Sequence, residues 1–156
     1  FGSGIVVPGT GISLNNRGYG FRVQAGHPNC VGGSKKPFHT IIPGFVMDRG
    51  KPLMAFGVMG AHMQAQGHVQ MMTRIFDYGQ IPQAASDAPR WHVMPGSGLA
   101  LENAFPVSVI QGLRERGHKI CPEEDDMFGG AQLILKSKKH YIAGSDHRKD
   151  GQSVGF

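Results

Sequence analysis

Apolar and polar positions fall in short blocks along this chain, and the period of the blocks changes in a readable order. Gly4-Ile5-Val6-Val7-Pro8-Gly9-Thr10-Gly11-Ile12-Ser13-Leu14 predicts a strand, a turn and a second strand, and Asn15-Asn16-Arg17-Gly18-Tyr19-Gly20 a turn-rich loop. A polar loop containing glycine and proline follows over residues 24–37. His39 to Asp48 is β-rich, Arg49-Gly50 marks a hairpin turn, and Pro52 to Val58 returns; the near-continuous apolar runs of these two strands predict central places in a sheet. The period then lengthens. Residues 61–79 read as a helix, with Met63, Val69, Met72, Ile75 and Phe76 in one stripe and Gly79 as its C-cap.

Past that helix the elements shorten. Residues 81–89 predict a short helix with Pro82 near its start, and residues 97–102 an extended piece. Residues 106–116 predict a helix with Val107, Ile110 and Leu113 on one face and Gly117 ending it. Strands are expected over 118–121, 131–136 and 140–144, the last two joined by the Ser137-Lys138-Lys139 turn, with an acidic, then glycine-rich loop over 123–130. There is no repeat and no long linker. The expected architecture is α+β, a single domain over residues 1–156 with two to three helices.

Composition narrows the partners. The chain of 156 residues is long enough for a real core. Its 24 glycines follow no period of three, which excludes collagen and points to tight turns. Charged residues are only 17%, and with eight Met and nine Phe this predicts that another chain covers part of the surface. The net charge of +5 is spread over short clusters beside turn residues (Lys35-Lys36, Lys136 with Lys138-Lys139, Arg148-Lys149), so no nucleic-acid partner is expected. No apolar run reaches transmembrane length, and no membrane partner is expected. Cys30 and Cys121 are expected as free thiols.

Candidate chemistry is sparse. His62 and His68 are six apart, off the i, i+4 spacing of a helical zinc pair, and no acid accompanies them, so no metal site is expected. Glycine pairs near the start precede no helix, Glu123-Glu124-Asp125-Asp126 lacks the spacing of a calcium loop, and no G-x-S-x-G elbow is present. One stretch stands out. Phe56-Gly57-Val58-Met59-Gly60-Ala61-His62 takes a strand through glycine into a helix, which leaves backbone N–H groups free for an anion or the oxyanion of a carbonyl under attack.

A series of short motifs gives that turn a context. Gly2-x-Gly4-Ile5-Val6, Gly11-Ile12-x-Leu14-Asn15-Asn16, Lys36-Pro37, Gly57-x-x-Gly60, Asp77-Tyr78-Gly79, Ala88-Pro89-Arg90 and Gly144-Ser145-Asp146-x-Arg148 occur in this order. The series closely resembles the small subunit of γ-glutamyltranspeptidases (glutathione hydrolases) over nearly the whole chain. The resemblance implies an N-terminal nucleophile hydrolase with a four-layer αββα sandwich. A precursor of such a protein cleaves itself into a large and a small subunit, and the new N-terminal Thr is the nucleophile, helped by its own α-amino group. No such Thr is in this chain. The expectation is that it lies upstream of Phe1, so that residues 1–156 are the small-subunit portion without its nucleophile strand. The expected partner is the large subunit, and no cofactor is implied. Location is left open between the cytoplasm and periplasm of a bacterium.

Site residues carry over by position. The glycine pair of the family's oxyanion hole falls on Gly60 and Ala61; Ala61 keeps the N–H donor if its backbone suits a residue with a Cβ. The loop that grips the substrate's α-amino group falls on Asn16-Arg17-Gly18-Tyr19-Gly20, with Asn16 supporting the loop. Arg17 stands where the family has Gln, and Gly20 where it has the Asp that pairs with the ammonium. The serine pair for the α-carboxylate falls on His39 and Thr40. Losing a desolvated carboxylate partner costs about 2–5 kcal/mol of ammonium binding, while Arg17 favours a carboxylate. These changes resemble the acylase-like branch, which takes glutaryl or similar dicarboxylic amides. Two readings stay open here: such an acyl pocket, or a solvated Arg17 with the ammonium bound by the large subunit. A non-catalytic scaffold that kept the fold is the alternative to an enzyme. Asp146 and Arg148 are expected to hold structure rather than touch substrate.

Overall fold

The computed structural model describes residues 2–122 and 125–155, with Asp125 and Asp126 described by backbone alone; Phe1, Glu123, Glu124 and Phe156 lie outside the described residues, and with them the first half of the expected acidic run. Where the sequence reads as one domain, backbone contacts divide the chain into two units, Phe1–Ile41 and Ile42–Phe156.

In the first unit, β1 (Gly2–Val6) pairs antiparallel with β2 (Ser13–Asn15), as expected. Thr10 closes the turn between them: its Oγ1 donates to the Val7 carbonyl at 2.9 Å and accepts from the Ile12 amide at 3.1 Å. A 3-10 turn, Arg17–Gly20, follows. The loop beyond is tied by the Asn29 side chain, which donates to the Gly20 carbonyl at 2.6 Å, and by a bridge between Arg22 and Cys30.

The second unit is built on a four-stranded sheet of order β3-β4-β8-β9, all pairs antiparallel. β3 is Gly44–Asp48, β4 Lys51–Met59, β8 Gly130–Lys136 and β9 Tyr141–Ser145. The β-rich segment expected from His39 therefore narrows to Gly44–Asp48, immediately after Pro43, which has no N–H to give a ladder. The Arg49-Gly50 turn has φ of 47° and 77°, the doubly left-handed pair that suits a two-residue hairpin. Only β4 is central as expected; β3 is an edge strand. Its apolar run misled because both faces were counted as buried, whereas Phe45 and Met47 on it are 62% and 53% exposed.

One face of this sheet carries the core. Met54 and Val58 of β4 and Ala131 and Leu133 of β8 are buried against Met71, Ile75 and Ala85. These come from α1 (Met63–Met72), the π-helical turn Thr73–Asp77 that continues it, and α2 (Pro82–Asp87) with proline at its start. The expected stripe on α1 is only partly right. Met63 and Ile75 are buried, but Val69 is 56% and Phe76 41% exposed, and the buried face runs through Gly67, Gln70 and Met71. A glycine is needed at 67 because α1 lies on β4 there; a Cβ would sit 2.6 Å from the Val58 Cγ1. The wide turn at Thr73–Asp77 then breaks the 3.6-residue period on which the stripe was drawn.

A second sheet joins β5 (Trp91–Val93), β6 (Gly98–Leu101) and β7 (Lys119–Cys121). β5 and β6 are antiparallel; β6 and β7 are parallel, and α3 (Val107–Glu115) makes the crossover. α3 buries no residue fully, and Val107, expected on its inner face, is 79% exposed.

Candidate functional site

β4 ends at Met59, and the chain reverses into α1 through two left-handed residues, Gly60 at φ 134° and Ala61 at φ 48°. The first conformation is open only to glycine; the second costs a residue with a Cβ about 1–2 kcal/mol. The carbonyls of this turn are used by the helix: Met63 donates to Gly60 at 2.8 Å, and the Gln64 amide and side chain to Ala61 at 3.3 and 3.0 Å. The amides of Gly60 and Ala61 donate no hydrogen bond among the described residues. Gly60 is half-buried and Ala61 exposed, so two adjacent donors are presented at the positive end of a helix.

The turn rests on a second backbone. A Cβ on Gly60 would lie 3.0 Å from the Gly129 Cα, and one on Gly129, at φ 75°, would run into the Met59 carbonyl oxygen. The segment Phe128–Ala131 therefore backs the turn, and an ion network holds that segment. Asp146, 1% exposed, takes the Ala131 amide at 2.6 Å and the Arg148 amide at 2.9 Å, and pairs with Arg90. Arg90, fully buried, also donates to the Phe128 carbonyl at 3.1 Å and the Ser86 carbonyl at 3.2 Å. Glu102 binds Arg148 through both oxygens at 2.6 Å and accepts the Arg90 amide at 2.6 Å. Burial alone would raise the Asp146 carboxyl; the two amides and the Arg90 guanidinium outweigh it and hold the group at about 2. Burial and the neighbouring Arg90 and Arg148 charges lower Arg74 to about 10, while its guanidinium serves the Ala85, Ala88 and Pro89 carbonyls. Asp146 and Arg148 thus hold structure.

In the first unit the carried-over loop residues form a local cluster. The Arg17 guanidinium donates to the Thr40 hydroxyl, bringing together two positions 23 apart in sequence. Arg17 and Thr40 are half-buried. The Arg17 amide is held by the Asn15 Oδ1 at 3.0 Å, and the Asn16 carbonyl accepts Tyr19 at 2.9 Å. A Cβ on Gly2 would meet the Asn16 Oδ1 at 3.2 Å, so this side chain braces the strand pair. Gly20 is exposed and carries no side chain. His39 is exposed, and its Nδ1 accepts the Ile41 amide at 3.0 Å, which turns the ring back onto its own backbone.

Several residues near the turn escaped the sequence reading. Gly129 and the Arg90–Glu102 pair back it; Arg90 belongs to the quoted Ala88-Pro89-Arg90 motif, but nothing in the pattern shows its burial. His68, expected only to hold no metal, accepts the Val58 amide at its Nε2, 3.3 Å away. Two open cavities of about 470 and 600 Å³ lie elsewhere in the second unit, and neither is lined by Gly60 or Ala61. Among the described residues, no three His, Cys, Asp or Glu side chains are grouped to hold a metal ion, and no helix is long and apolar enough to cross a membrane.

The chain is 35% identical over its full length to the glutathione hydrolase-like YwrD proenzyme of Bacillus subtilis and spans 31% of that relative. It is 31% identical over its full length to the oxamate amidohydrolase proenzyme of Klebsiella pneumoniae, again 31% of that relative. The chain therefore spans about a third of the curated relatives it matches. Among solved structures, the cephalosporin acylase of Bacillus halodurans superposes with a TM-score of 0.84 at 45% identity, covering 97% of this chain and 29% of that one. A γ-glutamyltranspeptidase from Pseudomonas nitroreducens gives a TM-score of 0.78 at 24% identity over 99% of this chain and 86% of that one, a likeness of fold. The mixed α+β arrangement is thus the small-subunit part of the N-terminal nucleophile hydrolase fold. A left-handed Gly-Ala turn at a helix head, the order of the motifs and a family model described as Gamma-glutamyltranspeptidase that matches residues 1–156 all agree: this chain belongs to the γ-glutamyltranspeptidase family.

Proposed function

We propose that residues 1–156 are the small-subunit portion of an amidohydrolase that cleaves dicarboxylic monoamides, of the glutaryl type, in preference to γ-glutamyl amides. The attacking hydroxyl is that of an N-terminal Thr outside these residues, and the large subunit of the same precursor completes the enzyme. The observation that carries the reading is the Gly60-Ala61 turn. Its two unspent amides, at the head of α1 and braced by Gly129, have the form of an oxyanion hole. As the carbonyl carbon of the amide becomes tetrahedral, its oxygen gains charge, and fixed N–H donors favour that state over the planar amide.

Acyl selectivity is assigned to the other cluster. Within the first unit the Arg17 guanidinium donates to the Thr40 hydroxyl, and by position in the family Arg17 replaces the Gln of the acyl-binding loop; a cation there favours a carboxylate over an ammonium. Gly20 leaves no carboxylate to hold an α-ammonium. The acylase and amidohydrolase names of the relatives support this branch of specificity. The test uses the full-length protein with glutaryl- and γ-glutamyl-p-nitroanilide. The expected result is a kcat/KM at least tenfold higher for glutaryl, with the ratio moving toward γ-glutamyl in an Arg17→Gln/Gly20→Asp double variant. Equal rates overturn the acyl preference. Release from neither substrate, with an uncleaved precursor on a denaturing gel, overturns the enzyme.

A further inference from the structure

We propose that His68 is a positioning residue for the oxyanion turn: its neutral imidazole fixes the open end of β4 through the Val58 amide, and acid releases that end. The proposal rests on the assignment of Gly60 and Ala61 above. β3 pairs with β4 only as far as Gly44 opposite Phe56. Beyond Phe56 the strand keeps its β8 partner on one side, down to Met59 opposite Gly130, and among the described residues has no strand on the other. At that place α1 supplies a side-chain acceptor. The His68 Nε2 takes the Val58 amide at 3.3 Å, and the ring lies against Phe56 with centroids 4.8 Å apart and planes tilted by 57°. Gly67, the preceding residue, brings the helix down onto the Val58 methyls. Val58 is thus gripped by side chain and by amide, two residues before Gly60.

This geometry requires a particular proton state. Nε2 accepts only when it carries no proton, so the neutral ring has its hydrogen on Nδ1. Protonation turns the acceptor into a donor facing an N–H and places a charge on a half-buried ring. Burial lowers the pKa of His68 below its ordinary 6.5. The titratable groups on the elements packed against α1 are Lys51 of β4, Arg74 and Asp77 of the π-helical turn, His92 of β5, and Asp125 and Asp126 of the 3-10 turn Asp125–Phe128; His62 precedes the helix itself. The cause of the His68 shift is burial of its ring. The sign follows: with the folded value below the unfolded one, the clamp is intact at pH above 6.5 and is lost as pH falls below it, through the lowered folded value.

The experiment compares full-length wild type with His68→Gln, which places an amide oxygen where Nε2 lies and does not titrate, and His68→Phe, which keeps the ring and has no acceptor. With glutaryl-p-nitroanilide, wild type should lose kcat on an acid limb centred below pH 6.5. His68→Gln should flatten or displace that limb while keeping at least a third of kcat at pH 8. His68→Phe should lower kcat at least tenfold with KM within twofold. A His68→Phe enzyme with wild-type kcat, or an acid limb unchanged in His68→Gln, overturns the proposal. Amide exchange of residues 56–60, measured by mass spectrometry on the same proteins, gives a readout independent of turnover. Protection should be kept in His68→Gln and lost in His68→Phe while residues 131–136 stay protected; equal protection in all three overturns the clamp. If wild type hydrolyses neither anilide, the functional reading fails, and the exchange pattern still decides the role of His68.

Discussion

Replacing Asp146 with asparagine removes one negative charge from between Arg90 and Arg148 at a place where water does not reach. The carboxylate is worth something definable. Its pKa falls from 3.8 to about 2 on folding, because the Ala131 and Arg148 amides and the Arg90 guanidinium outweigh its burial. That drop corresponds to about 2 kcal/mol favouring the ionised folded form. The group is depressed, so this stability is fully present above the unfolded value of 3.8 and is lost as pH falls through about 2. The Asp146→Asn change costs more than that, because it leaves the buried Arg90 guanidinium without its partner and aims an amide N–H at other donors. Breaking a buried pair in this way costs about 3–5 kcal/mol. The assay is urea unfolding of the full-length protein, followed by far-ultraviolet circular dichroism from pH 7 down to pH 2. Asp146→Asn should lower stability by about 3–5 kcal/mol at pH 7 and lack the wild-type loss between pH 4 and 2. Adding Arg90→Met should recover part of the cost, since no stranded charge then remains. A cost under about 1 kcal/mol, or an unchanged acid limb in the asparagine variant, would refute the account of this network.

Other substitutions separate neighbouring effects. Met71→Ala should cost about 2–5 kcal/mol and Val69→Ala under about 1 in the same unfolding assay, because only Met71 faces the sheet. Gly129→Ala, with φ 75° and the Met59 carbonyl in the way, should destabilise by at least about 1–3 kcal/mol and lower kcat more than it raises KM. Gln70→Ala strands the buried amide and carbonyl contacts of Trp91 and should cost about 1–3 kcal/mol, against about 1 or less for Gln66→Ala at the exposed end of the same strand.

How much of this was legible follows the physics of each signal. Hairpin turns and helix ends read well because glycine at positive φ has few substitutes, as at Arg49-Gly50 and at Gly79. The short proline-led helix α2 read well for a similar local reason. The stripe on α1 failed at Val69 and Phe76 because the helix buries a glycine and a glutamine, and because a π-helical turn changes its period after Met72. No hydrophobicity pattern reports either. The edge position of β3 and the parallel pairing of β6 with β7 depend on contacts distant in sequence. In the candidate site, Gly60 and Ala61 were visible as a strand-to-helix bend, and Arg17 with Thr40 as aligned positions. His68, Gly129 and the burial of Arg90 needed coordinates, since each acts through a partner that is ten or more residues away.

Three glutamines share one habit whose consequence reaches past this molecule's own stability. Gln66 gives and takes a hydrogen bond with Val93, Gln70 does the same with Trp91, and Gln83 with Ser145. Each primary amide imitates a peptide group, and each is docked on an outermost strand, β5 or β9. A bare strand margin is an invitation to any other chain with unpaired backbone, and proteins commonly decline it with lysine, proline or a bulge. Here helix-borne side chains occupy the vacant seats instead. At Trp91, Val93 and Ser145 the margin meets counterfeit peptide groups that cannot propagate a ladder.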